Sequence, residues 1–188
     1  TTGRRQPNII YIMLDDAGYG DFGAFGSPYV KTPHFDRLCA EGMTFTNHYS
    51  GSAVCAPTRC VLMTGLHTGH CRRRDNTAKA LTQELSKKNG RPLVFLEDSD
   101  VTVAEALQDA GYFTAGVGKW GLGNPGSAGV PEKQGFDYWY GYLDQVHAHD
   151  HFPDEIWDGG KMVSVPGNQN KKKEKKKEEE RSTHHSGY

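Results

Sequence analysis

The chain from position 102 to position 120 reads TVAEALQDAGYFTAGVGKW, and this stretch contains both halves of one folding unit. The segment Thr102–Glu105 is a capping box, which predicts a helix over Val103–Ala110. Gly111 favours the backbone conformation that ends helices, and the aromatic and β-branched run Tyr112–Val117 predicts a strand. A helix that leads directly into a strand indicates a sheet covered by helices.

The segments on the N-terminal side extend this alternation of strands and helices. Asn8–Leu14 is a continuous apolar run, which predicts a buried central strand. Thr32–Pro33 predicts a helix that continues to about Ala40 and ends at Gly42, and the alternating segment Met43–Tyr49 predicts another strand. The expected fold class is α/β, with a mainly parallel sheet flanked by helices.

Length and charge exclude several classes of protein. The 188 residues suffice for one domain, and a net charge of −1 gives no basic surface for nucleic acid. No run of eighteen apolar residues exists, so no transmembrane segment is expected. We expect one folded part over 1–170, and the Lys/Glu block within 171–188 predicts a solvated, mobile insertion or chain end.

A cysteine motif precedes the predicted sheet unit. Residues 55–59 read Cys-Ala-Pro-Thr-Arg, and Pro57 suits the first position of a helix expected over Pro57–Met63. The start of this helix would offer backbone N–H groups to a tetrahedral anion. Arg59 adds a planar set of donors that suits sulfate or phosphate oxygens.

The other cysteines leave a zinc module as a non-enzymatic alternative, which would use Cys55, Cys60, His67, His70 and Cys71. Residues five apart on a helix point about 140° apart, so the first two cysteines would not bind one ion. His67 and His70 also miss the usual spacing of paired zinc ligands. We therefore expect Cys60 and Cys71, together with Cys39, to be buried apolar thiols.

Three motifs in this order resemble those of the sulfatase family. Cys55–Gly65 is similar to the first sulfatase signature, and Gly111–Trp120 is similar to the second. Asn8–Asp16 resembles the first strand of the family, which ends in a pair of metal-binding aspartates. Gly135–Tyr138 and Tyr140–Gly141 extend the likeness. The resemblance implies the N-terminal part of a sulfatase fold of the alkaline-phosphatase-like superfamily, because whole sulfatases are usually more than twice this length.

The resemblance also implies a reaction. Cys55 would be converted to formylglycine by a formylglycine-generating enzyme, and the hydrated aldehyde would attack the sulfur of a sulfate ester. Arg59 and Lys119 would contact the nucleophile and a sulfate oxygen, respectively. The substrate would be a sulfated carbohydrate or an aryl sulfate, in a periplasmic or extracellular setting. The 188-residue chain alone is expected to be inactive.

Asp15 and Asp16 are the expected metal ligands, with an oxygen of the formylglycine at position 55 as a third. Adjacent residues on a regular strand point to opposite faces, so one shared ion requires the strand to end at this pair. Oxygen ligands suit Ca²⁺, with Mg²⁺ as the second choice.

The chain departs from the family pattern after Trp120. Where sulfatases usually have His-Leu-Gly, this sequence has Gly121-Leu122-Gly123, so the family's general base is missing. A histidine within residues 147–151 could replace this base in proton transfer and in sulfate binding. His149 is the favoured candidate among three, the others being His147 and His151. His67 and His70 are weaker candidates.

Two other functions stay open from the sequence. A phosphodiesterase or phosphonate hydrolase of the same superfamily would use a similar site. A sulfatase-like binding protein without turnover is the other alternative, and Gly121 is its support. The glycine- and aromatic-rich segment 121–141 is expected to be a loop, and its aromatic part, Phe136–Tyr142, fits stacking on a sugar.

Overall fold

The computed structural model describes residues 6–76 and 94–168. The chain divides into two units between Tyr49 and Ser50, and each is described by itself. The charged segment 171–188 lies outside the described residues. Within the described ranges, no helix combines the length and the apolar character needed to cross a membrane.

Helix α1 (Pro33–Glu41) is the main element of the first unit, close to the bounds predicted. Proline occupies its first position, and the N–H of Gly42 bonds the Leu38 carbonyl at its end, at 2.9 Å. Thr32 ties the helix to the preceding 3₁₀ turns, Tyr19–Asp21 and Gly23–Phe25, because its hydroxyl oxygen accepts from the Gly23 N–H at 2.8 Å. The rings of these turns stack on each other and on the helix.

Two strands predicted for the first unit are absent from it. Asn8–Leu14 forms no strand, and its apolar side chains are largely exposed, with Ile10 at 86% and Ile12 at 75%. A continuous apolar run is suited to the interior of a sheet, but a strand also requires a hydrogen-bonded neighbour, and the described part of this unit provides none. Met43–Tyr49 likewise forms no strand, because a turn at residues 46–47 interrupts it.

Helix α2 (Cys55–Thr64) opens the second unit and begins two residues earlier than predicted. Val54 is extended and caps the helix, and its carbonyl accepts the N–H of Thr58 at 3.2 Å. Pro57 therefore lies within the first turn, where its missing N–H has no intrahelical acceptor to lose. Gly65 ends the helix in the left-handed conformation, with φ of 66°.

Helix α3 (Val103–Asp109) confirms the predicted capping box. The Thr102 hydroxyl accepts from the Glu105 N–H at 3.2 Å, and the Glu105 carboxylate accepts from the Thr102 N–H at 2.7 Å. Strand β1 (Ala115–Lys119) begins three residues later than predicted. The reason is that the N–H of Thr114 bonds the Asp137 carboxylate, at 2.7 Å, instead of a neighbouring strand.

One sheet contains the four described strands, β1, β2 (Tyr138–Tyr142), β3 (Glu155–Asp158) and β4 (Lys161–Ser164), in that order. Strand β1 pairs parallel with β2, from Ala115 opposite Tyr138 to Lys119 opposite Tyr142. The other two pairs are antiparallel. The α/β fold class is confirmed, with a mixed sheet in which the described parallel pairing is that of β1 with β2.

The core of the second unit lies beside the end of β1. Three aromatic rings, those of Trp120, Phe136 and Trp139, pack edge to face with centroids 5.0–5.6 Å apart. Segment 121–141, predicted to be a loop, therefore contributes a strand and core residues. Cys60 and Cys71 are fully buried in the same core, as predicted, whereas Cys39, in the first unit, is only half-buried and that prediction is wrong.

Candidate active site

A hydrogen bond joins the two sequence motifs. Arg59 on α2 donates from Nη1 to the backbone carbonyl of Lys119, the last residue of β1. This contact connects the cysteine-bearing helix to the C-terminal end of a parallel strand. That end of the sheet is where ligands bind in open α/β folds.

The side chain of Cys55 lies between a donor and an acceptor. Its Sγ accepts from Asn76 Nδ2 at 3.1 Å and donates to Gln145 Oε1 at 3.0 Å. Both distances lie within the range of hydrogen bonds between nitrogen and oxygen atoms. The surroundings of Cys55 therefore fit oxygen in place of sulfur, and a hydrated aldehyde carbon, with two hydroxyl groups, can use both neighbours.

Asn76 also binds the first turn of α2. Its Oδ1 accepts from the Ala56 N–H at 3.0 Å, so one side chain holds both the helix start and the thiol. The Thr58 N–H is occupied by Val54, and Pro57 has no N–H. The helix start therefore offers fewer backbone donors to an anion than predicted, because the Ala56 N–H is already bonded and Pro57 has none.

Gly121 follows the end of β1 and continues its pairing with the chain after β2. The N–H of Trp120 bonds the Tyr142 carbonyl at 2.8 Å, and that of Gly121 bonds the Leu143 carbonyl at 2.9 Å. Gly121 is buried and has a φ of +82°, a conformation that disfavours side chains. This pairing brings the loop after β2, including Gln145, beside the residue where the sulfatase pattern has histidine.

Arg73 is a buried cation that the sequence analysis missed. Its side chain is 5% exposed, and Nη1 donates to the Val94 carbonyl at 2.9 Å. Burial lowers the pKa of this guanidinium, and the negative charge of Asp144 and of a Cys55 thiolate opposes that effect. A buried positive charge that acts on Cys55 favours an anion at this site.

The five candidate histidines lie in the loop that follows β2 or in the loop that follows α2. Residues 147–149 form a 3₁₀ turn that includes His147 and His149. The His147 ring packs edge-on against the Tyr142 ring, with 5.2 Å between the ring centroids. His149 and His151 are exposed, as are His67 and His70. The described hydrogen bonds of Cys55 go to Asn76 and Gln145 rather than to a histidine. A catalytic role of His149 stays a prediction.

Asp15 and Asp16 belong to the first unit. Asp16 has a φ of 53°, in the left-handed region, so the extended backbone is interrupted at the pair. The two carboxylates therefore need not point to opposite faces, which fits a shared cation. In the described ranges no group of three or more His, Cys, Asp or Glu could hold a metal ion. The pair suits a hard cation in kind but forms no complete ligand set there.

Comparisons with known proteins agree with these motifs. The sulfatase family model matches residues 7–178. Human N-acetylgalactosamine-6-sulfatase is 40% identical over 141 residues, which cover 73% of this chain and 26% of that protein. The N-acetylgalactosamine-6-O-sulfatase of Bacteroides thetaiotaomicron is 40% identical over 143 residues, which cover 71% of this chain and 26% of that protein.

A solved structure shows the same fold. It comes from work on the metabolism of multiple glycosaminoglycans by Bacteroides thetaiotaomicron, and it matches with a TM-score of 0.66 and 36% identity. The match covers 85% of this chain and 32% of that one. The chain spans about a quarter of the length of the curated relatives it matches. With the family match over most of its length, the chain belongs to the sulfatase family.

Proposed function

We propose that the protein is a sulfuric ester hydrolase whose nucleophile is a formylglycine made from Cys55. The observation that carries the proposal is the position of Cys55 in the first turn of α2, hydrogen-bonded by Asn76 and Gln145. Arg59, on the same helix, donates a hydrogen bond to the backbone carbonyl of Lys119. A nucleophile, a buried cation and a lysine at a strand end are the parts that transfer of an anionic group requires.

Hydrated formylglycine supplies an oxygen nucleophile. One of its hydroxyl oxygens would attack sulfur and lose its proton while the bond from sulfur to the alcohol oxygen breaks, and the alcohol would leave with a proton. The other hydroxyl would then lose its proton as the bond from carbon to the sulfate oxygen breaks, which returns the aldehyde and releases sulfate. Asn76 would donate to this residue and Gln145 would accept from it, as each does with the thiol. Arg59 would keep the helix against the strand end. Lys119 would contact a sulfuryl oxygen, because its ammonium group is a compact positive charge that suits a singly charged anion.

A divalent cation is the second component of the proposal. Asp15 and Asp16 would hold it together with an oxygen of residue 55, and such oxygen ligands suit Ca²⁺, with Mg²⁺ as the second choice. Bound there, the cation would lower the cost of negative charge as the sulfuryl group transfers. The interrupted backbone at Asp16 supports this assignment.

The names of two relatives support a sulfated carbohydrate as the substrate class. Both are named for sulfate at position 6 of N-acetylgalactosamine, and each shares 40% of aligned residues with this chain. Aryl sulfates would serve as convenient artificial substrates. A formylglycine-generating enzyme would be the maturation partner, and the periplasm or the cell exterior the place of action.

The test is the chemical state of residue 55 in the full-length protein. After expression with a formylglycine-generating enzyme, mass spectrometry of the tryptic peptide 38–59 should show an aldehyde in place of the thiol. Cys55→Ala should abolish hydrolysis of an aryl sulfate, because the nucleophile is removed. Cys39→Ala is the matched control and should keep wild-type turnover. An intact thiol, in a host that converts another sulfatase, would contradict the proposal.

A further inference from the structure

Gln145 occupies the space that a side chain at position 121 would need. A Cβ added to Gly121 would lie 1.6 Å from Gln145 Nε2 and 2.7 Å from its Cδ. These distances are far inside van der Waals contact, so any other residue at 121 would displace the amide. Glycine at this position is therefore the condition under which Gln145 reaches Cys55.

A directional chain of hydrogen bonds orients the Gln145 amide. The Ala56 N–H donates to Asn76 Oδ1, so Asn76 must present its Nδ2 to the Cys55 thiol. The thiol hydrogen is then available for Gln145 Oε1, at 3.0 Å. Because Oε1 is committed to residue 55, Nε2 points away from it, toward the volume beside Gly121.

The chain of hydrogen bonds ends at a donor without an acceptor. Gln145 Nε2 is buried, and none of residues 6–76 and 94–168 accepts a hydrogen bond from it. A primary amide carries two N–H donors, and leaving both unpaired in the interior is costly. Such a group beside a nucleophile is explained if the ligand of the site supplies the acceptor.

We propose that Gln145 binds the sulfuryl group of the substrate: Oε1 orients a hydroxyl of residue 55, and Nε2 donates to a sulfuryl oxygen. This inference rests on the proposed function and adds a substrate-binding residue that stands in the place left open by Gly121. An amide neither takes up nor releases a proton near neutral pH. Gln145 is thus a binding and orienting residue, and proton transfer falls to another group.

Two substitutions separate this role from simple filling of space. Gln145→Glu keeps the length and an oxygen toward residue 55 but replaces the N–H donor with a charged acceptor. Gln145→Ala removes the amide. We expect the KM for an aryl sulfate and the inhibition constant of inorganic sulfate to rise at least tenfold in Gln145→Glu, more than in Gln145→Ala. A space-filling role predicts the opposite order, because glutamate preserves the shape.

Controls separate failure of this inference from failure of the proposed function. All variants are full-length proteins, and the formylglycine content of each is measured by mass spectrometry. Gln108→Ala, on α3, is the matched control for Gln145→Ala, because it removes one amide hydrogen bond, to Asp137, and it should keep the wild-type KM. A wild type without aldehyde or sulfatase activity would refute the proposed function. If the wild type is active, the role of Gln145 would be overturned by either of two results: Gln145→Glu binds sulfate as tightly as the wild type, or it binds sulfate more tightly than Gln145→Ala. The proposed function would not be affected by either result.

A double-mutant cycle tests the link between Gly121 and Gln145. In a Gly121→Ala background the amide is already displaced, so Gln145→Ala should change KM by less than twofold. The backbone strain at position 121 is common to both members of that comparison and cancels. An undiminished effect of Gln145→Ala would overturn the inferred exchange of positions. If Gly121→Ala does not yield folded protein, the comparison of Gln145→Glu with Gln145→Ala decides.

Discussion

Replacing Arg59 should uncouple the cysteine helix from the strand end. Its guanidinium donates to the Lys119 carbonyl, and hydrogen bonds from charged groups contribute about 1.5–3 kcal/mol. If that energy holds the nucleophile and Lys119 in register during transfer, its loss corresponds to about a 10- to 150-fold lower kcat/KM. Arg59→Lys keeps the charge without the planar fork, so we expect about tenfold for Lys and about 100-fold for Ala.

The measurement is kcat/KM for an aryl sulfate with the full-length protein, normalised to the fraction of residue 55 present as aldehyde. Normalisation is needed because Arg59 lies within the motif that the maturation enzyme would read. Arg37→Lys is the matched control, since Arg37 is exposed and its contact with Glu41, at 4.0 Å, is a surface pair of little energy. An Arg59→Lys protein with wild-type kcat/KM per aldehyde would refute the reasoning.

Three further predictions concern stability, metal and completeness of the site. Thr102→Ala should lower the free energy of unfolding of the full-length protein by about 2–3 kcal/mol, because it removes a helix cap and a buried hydrogen bond to the Gln134 carbonyl. Thr102→Ser keeps the hydroxyl and should retain most of that stability in thermal unfolding. Equal losses of stability in the two variants would argue against the role of the hydroxyl. Asp15→Asn and Asp16→Asn should each lower Ca²⁺ affinity and turnover together, measured by calorimetry and aryl sulfate hydrolysis, and an unchanged affinity would exclude that residue as a ligand. The 188-residue chain expressed alone should not hydrolyse an aryl sulfate, because two carboxylates and one formylglycine oxygen fall short of the six to eight ligands that Ca²⁺ prefers. Aryl sulfate hydrolysis by this chain, if Cys55→Ala abolished it, would contradict the prediction.

Helices were easier to predict from this sequence than strands. Local signals predict the three helices, α1, α2 and α3. These signals are Pro33, the capping box at Thr102 and the glycine that follows each helix. A strand depends on a partner that local sequence does not identify. The apolar run at Asn8–Leu14 has the composition of a central strand, yet in the described structure it remains exposed and unpaired as a strand.

The site was predictable in its motifs and not in its contacts. The sequence indicated Cys55, Arg59 and Lys119, and the structure joins Arg59 to Lys119. Asn76 and Gln145 lie 21 and 90 residues from Cys55 and carry no motif of their own. The one available signal was the missing histidine at Gly121, which implies that some other side chain occupies the space. Only the pairing of β1 with β2 shows which residue does.

The unequal burial of the four cysteines would provide a colorimetric assay of the proposed conversion of Cys55 to formylglycine. Burial raises the pKa of the Cys60 thiol to about 11, so only about one molecule in 10⁴ carries its thiolate at neutral pH. Cys71 is equally inaccessible, whereas Cys39 and Cys55 are half-buried. A thiol reagent added to the native protein should therefore react first with Cys39 and Cys55. As the aldehyde replaces one of these two thiols, the rapid phase of labelling from this chain should fall by half, and the missing amplitude equals the converted fraction.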